Sequence, residues 1–265
     1  MKMKNFLASI TLMVLVAMSS ATATTILVNE SFDTYADTTA MKAVWGGTGN
    51  LGTLDTTLSY SPNNSAAHPG GAVNTYLPGI GSATPSATQN LVLSAKIYDN
   101  ALVVNDRVTV GLRTGAAPLF EMGRYNDWTP LPNTLGHTYG IRALSMGNGI
   151  TPSPNWKPFL IAGNPVPATA GWHSYEATFS IATGLTVTLD LGSNGTIDST
   201  LQFAGNGTAA FGNFTDLRFG GPSNLSSAGG GANFDDIYLA LVPEPTSLLL
   251  AGVLGIAMGC ARSRR

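Results

Sequence analysis

Alternation with a period of two is the strongest constraint in this chain. Val108, Val110 and Leu112 alternate with Arg107, Thr109 and Gly111. Leu185, Val187, Leu189 and Leu191 alternate with Thr186, Thr188 and Asp190. Ile237, Leu239 and Leu241 alternate with Asp236, Tyr238 and Ala240. Successive side chains of a strand point to opposite faces, so each run predicts a strand with one face buried. Further strands are predicted over Ile26–Phe32, Leu91–Tyr98, Tyr139–Leu144, His173–Ile181, Thr196–Phe203 and Leu217–Gly220. Clusters of Gly, Asn, Pro and Ser, such as Ser61–Gly71 and Pro222–Gly231, separate them as turns and loops. One short helix, Thr38–Val44, is predicted behind Asp37 as its N-cap. Helical patterns do not alternate with the strands, which disfavours a parallel α/β fold. The expected fold is all-β, a two-sheet jelly-roll sandwich.

Both ends of the chain break this pattern. Residues 1–23 have the form of a secretory signal peptide, with Lys2 and Lys4 before the apolar run Phe6–Met18. Ala21-Thr22-Ala23 fits small-x-small cleavage, which puts the mature start at Thr24. At the other end, Pro243-Glu244-Pro245 breaks regular structure because proline has no N–H to donate. Thr246 to Ala261 then runs 16 residues without a charge, and Arg262, Arg264 and Arg265 follow. As a helix that run is about 24 Å long, somewhat short of a hydrocarbon core of about 30 Å. The arginines would keep its end cytoplasmic. The expected organisation is 1–23 leader, 24–242 passenger and 243–265 transmembrane tail.

The tail resembles the PEP-CTERM sorting signal of Gram-negative bacteria. The resemblance lies in Pro243-Glu244-Pro245, the apolar segment Ser247–Cys260 and the basic end Arg262–Arg265, in order and at the C-terminus. It implies recognition by a membrane sorting enzyme, an exosortase, and delivery of the passenger to the cell surface or extracellular matrix. Membrane attachment through the helix would precede processing.

The whole chain has 13 basic and 15 acidic residues, a net charge of −2. Five of the bases lie in the two ends, so the passenger keeps 8 bases against 14 acids, a charge of −6. That balance disfavours nucleic acid as a partner. The single cysteine, Cys260, excludes an intrachain disulfide and a cysteine-based zinc site.

The two ends of the passenger read as partners. Glu30-Ser31-Phe32-Asp33 opens it and Phe234-Asp235-Asp236-Ile237 closes it. The pair resembles concanavalin A-like and laminin G-like jelly rolls and some carbohydrate-binding modules, in which first and last strands lie side by side. In some of those, carboxylates at the two places hold a structural calcium. Carried over, the resemblance implies Glu30 and Asp235 as ligands, with Asp33 and Asp236 behind them. Calcium takes six to eight oxygens, so carbonyls and waters would complete the shell.

Other motifs carry less. Asp190, Asn194, Gly195 and Asp198 match four positions of a calcium loop, but Gly192 and Leu201 stand where ligands belong. Asn194-Gly195 between two alternating runs predicts a hairpin instead. Gly47-Thr-Gly49-Asn-Leu-Gly52 matches a dinucleotide fingerprint but follows the short helix, so it is a loop. Laminarinase-type hydrolases share the jelly roll and carry paired acids on one strand; no such run occurs here. An enzyme is therefore not expected. The stretch Arg124-Tyr125-Asn126-Asp127-Trp128, with Trp156 nearby in a Pro-rich segment, combines rings with hydroxyl-binding groups. A sugar's apolar face can lie on a ring while polar groups set its orientation. The expected activity is non-catalytic contact with extracellular polysaccharide through Arg124, Tyr125, Asp127, Trp128 and Trp156. A structural matrix protein without a ligand and a glycan hydrolase or lyase are the alternatives.

Overall fold

The computed structural model describes residues 23–101, 107–125, 138–150, 155–207, 210–221 and 231–244. The chain opens with β1 (Thr25–Glu30), α1 (Thr38–Val44), β2 (Trp45–Gly46), β3 (Thr53–Asp55), β4 (Ser65–His68) and β5 (Val73–Tyr76). The middle holds β6 (Gln89–Asp99), β7 (Val108–Arg113), β8 (Leu119–Tyr125), β9 (Thr138–Leu144) and β10 (Trp156–Pro158). After β11 (Leu160–Ile161) and β12 (Asn164–Pro165) come β13 (Gly171–Ser180), β14 (Gly184–Leu191), β15 (Ser199–Phe203), β16 (Asp216–Gly220) and β17 (Ala232–Pro243).

These strands make two antiparallel sheets, the layers of a jelly-roll sandwich. One runs β15-β14-β13-β6-β17-β4-β3, with β1 also paired to β17. The other runs β10-β9-β8-β7-β16-β5-β2, and β11 with β12 forms a small ribbon. The alternation explains the layering. Val108, Val110 and Leu112 of β7 and Phe120 and Met122 of β8 are buried. So are Leu91, Leu93, Ala95 and Ile97 of β6 and Tyr175, Ala177 and Phe179 of β13, and all belong to one core. Phe120 and Phe179, from opposite sheets, meet edge to face at 5.0 Å.

First and last strands do lie side by side. Thr25 pairs with Leu241 and Glu30 with Ile237. Farther back, β17 pairs instead with β4, Ala232 opposite His68 and Phe234 opposite Ala66. The change falls at an irregularity between Asp235 and Tyr238, where Asp236 takes a positive φ of 45°. Asp235 accepts there from the Tyr60 and Ser61 N–H groups at 2.8 and 3.0 Å and from Ser61 Oγ at 3.0 Å. Its carboxylate thus ties the β3–β4 connection to the last strand.

Helix α1 forms as expected, with the Asp37 side chain accepting from Ala40 N–H at 2.8 Å. The segment Ser61–Gly71 is not wholly turn, because β4 lies inside it. Ser-Ala-Ala-His has weak strand preference; its pairing with both β3 and β17, and the burial of Ala66, hold it extended.

Beyond Pro243, which pairs with Gln89, the chain stays docked for one more residue. Glu244 donates its N–H to Thr88 O at 2.9 Å. Its carboxylate accepts from Ser180 Oγ at 2.9 Å, and the residue is 6% exposed. Residues 1–22 and 245–265 lie outside the described residues, and with them Pro245, Arg262, Arg264 and Arg265. No helix among the described residues is long and apolar enough to cross a membrane.

Candidate ligand-binding face

The positions of the seven-stranded sheet that point away from the shared core carry its chemistry, and most of them are buried. Strand register puts Trp156, Arg142, Glu121, Gly111 and Arg218 in one row across β10, β9, β8, β7 and β16. At the ordinary strand spacing that row is about 19 Å long. Gly111 is the gap in it. With no side chain there, Arg218 reaches across β7, and its Nη2 donates to Glu121 Oε1 at 2.5 Å. A β-carbon at Gly111 would run into the Phe120 carbonyl and press on Glu121 Cγ at 3.1 Å. The next row, Gly140, Gly123 and Thr109, is nearly bare as well.

Around this row three guanidiniums gather. Arg142 Nη1 lies 3.8 Å from Glu121 Oε2. The Arg107 and Arg142 guanidinium carbons sit 5.2 and 5.3 Å from the Trp156 ring centroid. Tyr125 stacks on the same indole, with centroids 3.5 Å apart and planes 14° from parallel. Such cation–ring contacts hold a guanidinium in place without neutralising it. Glu121 is 1% exposed and Arg107 7%, whereas the Arg142 side chain is 28% exposed. Arg107 Nε, Arg142 Nε, Arg218 Nε and Glu121 Oε2 are all buried without a hydrogen-bond partner. Burial pulls the Arg107 and Arg218 pKa values down, against the upward pull of Glu121. Arginine nevertheless stays charged; Arg218 is paired with Glu121, while Arg107 has no ion pair with a described residue.

The expected glycan residues divide. Tyr125 and Trp156 come together as a stack on this face. Arg124 does not join them, because adjacent strand residues face opposite ways. It turns inward and donates from Nη1 to Asp99 Oδ1 at 2.8 Å, the pair being 1% and 2% exposed. Tyr139 Oη also donates to Asp99, at 2.6 Å. Asp127 and Trp128 lie outside the described residues. Arg107, Glu121, Arg142 and Arg218 were not expected. Their signal was the polar half of each alternating run, which the search for apolar partners passes over.

The expected calcium ligands are engaged otherwise. Glu30 accepts from Phe32 N–H at 2.7 Å, Tyr35 Oη at 2.5 Å and Trp45 Nε1 at 2.9 Å. Asp235 accepts from four donors, the last being Asp236 N–H at 2.8 Å. Asp33 Oδ1 accepts from Asn64 N–H at 3.0 Å. Asp236 lines a cleft of about 320 Å³ with Lys96, Ser174 and Glu176. Donor hydrogens thus engage both oxygens of Glu30 and of Asp235, and as arranged these two do not fit a calcium ion. Among the described residues no three His, Cys, Asp or Glu side chains cluster as metal ligands would. The loop after β14 behaves alike: Asp190 accepts from Asn194 and Gly195 N–H at 3.0 and 2.8 Å, closing the β14–β15 hairpin.

Two buried histidines set a pH dependence. His68 Nδ1 accepts from Gly70 N–H at 2.9 Å and His173 Nδ1 from Gly192 N–H at 3.0 Å, so both rings are neutral. Burial pushes the His68 pKa down to about 4 and that of His173 downward too. The unfolded chain then binds these protons more readily than the fold. The stability they give is whole above about pH 6.5 and falls as pH drops toward 4; His68 alone accounts for about 3 kcal/mol. Asp235, raised by its burial, opposes this only in the acid range. Guanidinium midpoints should hold from about pH 7.5 to about pH 6.5 and decline from there toward pH 4; a flat profile rejects the account.

No protein-family model matches the chain, and no curated protein matches it. Solved structures do. The cellulose-induced protein Cip1 is 15% identical with a TM-score of 0.50, over 80% of this chain and 96% of its own. The globular domain of T. cruzi calreticulin is 9% identical with a TM-score of 0.48, over 88% of this chain and 92% of its own. The alginate lyase Aly36B, solved in complex with an alginate trisaccharide, is 12% identical with a TM-score of 0.46. That match covers 85% of this chain and all of the lyase chain. At 15% identity the likeness to Cip1 is one of fold.

Proposed function

We propose that this protein is exported, is sorted through its Pro-Glu-Pro tail by an exosortase, and contacts extracellular polysaccharide on the Trp156 face without cleaving it. One observation carries the binding reading: a stacked Tyr125–Trp156 pair beside two arginines, Arg107 and Arg142, on one sheet face. Rings that give apolar contact beside fixed hydrogen-bond donors are what a sugar polymer needs. The row is longer than one sugar ring, which suits a polymer. One feature supports a non-catalytic role. Glycoside hydrolysis needs two carboxyls flanking one bond, one of them able to give up a proton. Glu121, the carboxylate of this row, is engaged by Arg218 and Arg142 instead.

The test is depletion of the full chain from solution by a polysaccharide panel, with release of reducing or unsaturated ends followed in parallel. Depletion without release is the expected outcome. Trp156→Ala should weaken it about tenfold or more, the loss of one well-packed anchoring ring. Release of ends would make the protein an enzyme. Binding unchanged by Trp156→Ala would remove the site. Calcium and chelator should give the same isotherm, since Glu30 and Asp235 are already engaged by protein donors. For export, the mature N-terminus should read Thr24; an intact leader on protein recovered outside the cell would reject the cleavage.

A further inference from the structure

The charges of this fold are sorted by sheet. The strands of the eight-stranded sheet carry Lys96 against Glu30, Asp55, Asp99, Glu176, Asp190, Asp235 and Asp236, a balance of −6. The strands of the seven-stranded sheet carry Arg113, Arg124, Arg142, Lys157 and Arg218 against Glu121 and Asp216, a balance of +3. Arg107, just before β7, adds to the positive side. An acidic passenger has therefore placed six of its eight bases on or beside one layer.

Among the described residues the compensation on that layer is incomplete. Glu121 lies against two guanidiniums, and Arg107 makes no ion pair with any described residue. Leaving a buried N–H donor without an acceptor costs about 1–3 kcal/mol. Here Arg107, Arg142 and Arg218 each do so at Nε. Such a site is under-supplied with acceptors and with negative charge. A neutral sugar offers hydroxyl acceptors but no charge. A carboxylate or sulfate offers both and matches the planar fork of arginine.

We propose that the ligand of this face is an acidic glycan, whose anionic groups are taken by Arg142 and Arg107 beside Trp156. This deepens the polysaccharide reading and depends on it. Arg142, the most exposed of the three, is the point of entry. Arg218 is held by Glu121 and keeps that acid from repelling the ligand.

The experiment measures retention of the full chain, kept in non-ionic detergent, by three probes: polygalacturonate, a sulfated galactan and neutral dextran. Salt rises from about 50 to about 500 mM, across which charge screening becomes severe. Retention by an acidic probe, lost with salt and absent on dextran, supports the proposal; the stronger acidic probe tells carboxylate from sulfate. Arg142→Gln and Arg107→Gln should each weaken that retention about tenfold, the worth of one charged hydrogen bond. Lys96→Gln, the lone strand base of the opposite sheet, should leave it unchanged. Equal losses from all three variants would mean diffuse charge attraction and overturn the site. Retention by dextran alone, or equally by all probes at every salt, would overturn the acidic ligand while leaving the polysaccharide reading intact. Retention by none would remove both. Near-ultraviolet circular dichroism of each variant separates lost binding from lost folding.

Discussion

Arg124→Ala should cost the fold about 3–5 kcal/mol, because it strips one partner from a buried ion pair. Asp99 would remain 2% exposed with its charge. Tyr139 Oη at 2.6 Å and Ala101 N–H at 2.9 Å would still donate to it, and neither is ionised. Guanidinium unfolding should show a lower midpoint without a change of slope. The double replacement Arg124→Met with Asp99→Asn leaves no charge buried at this pair and should recover part of the loss. A single-variant loss below about 1 kcal/mol would mean that water reaches the pair, and this account would fail.

A loss of the same order is expected of Phe219→Ala. Its ring lies 5.0 Å from Trp45, 4.9 Å from Phe234, 5.7 Å from Phe32 and 5.9 Å from His68, centroid to centroid. Those partners come from both sheets and from the segment between β1 and α1. Truncating a buried Phe costs about 3–5 kcal/mol, part of it the cavity left behind. For a domain of this size that lowers the thermal midpoint by roughly 6–20 °C. A scan that moves less than about 3 °C would show that the cluster collapses to fill the space, and that packing here is loose.

Much of the fold was legible because it depends on a period. Leu91–Tyr98 became β6, His173–Ile181 became β13 and Leu217–Gly220 became β16, each within two residues at either end. The pairing of the passenger's ends was legible from two short acidic motifs and a resemblance. Strand β4 was not, since Ser-Ala-Ala-His takes its shape from its neighbours rather than from preference. The candidate face was half legible. Aromatic residues announce themselves, and Tyr125 and Trp156 do meet. Arg107, Arg142 and Arg218 are spread over 111 positions of the sequence and meet only through register. Arg124, adjacent to Tyr125, was drawn into the site by proximity along the chain. The alternation that reveals the strand also sends it to the other side. Glu30 and Asp235 looked like metal ligands because acids near a sheet edge do, and a sequence does not show which donors are already aimed at them.

The docking of Glu244 bears on the order of events in this protein's life. An enzyme that reads Pro243-Glu244-Pro245 needs an extended, unpaired stretch of chain. In the folded passenger the first two of these residues are not that. Pro243 closes the ladder against Gln89, and Glu244 is held by Thr88 and Ser180. If the proposed exosortase acts on this tail, the end of β17 would have to fray before the tripeptide could be gripped, and processing would compete with folding for the same residues. A chain met while its last strand is still loose would then lose its tail quickly. A chain that folds first would keep it until thermal breathing of that strand end exposes the motif. Under that proposal Ser180→Ala, which loosens the latch without touching the tripeptide, would accelerate tail removal.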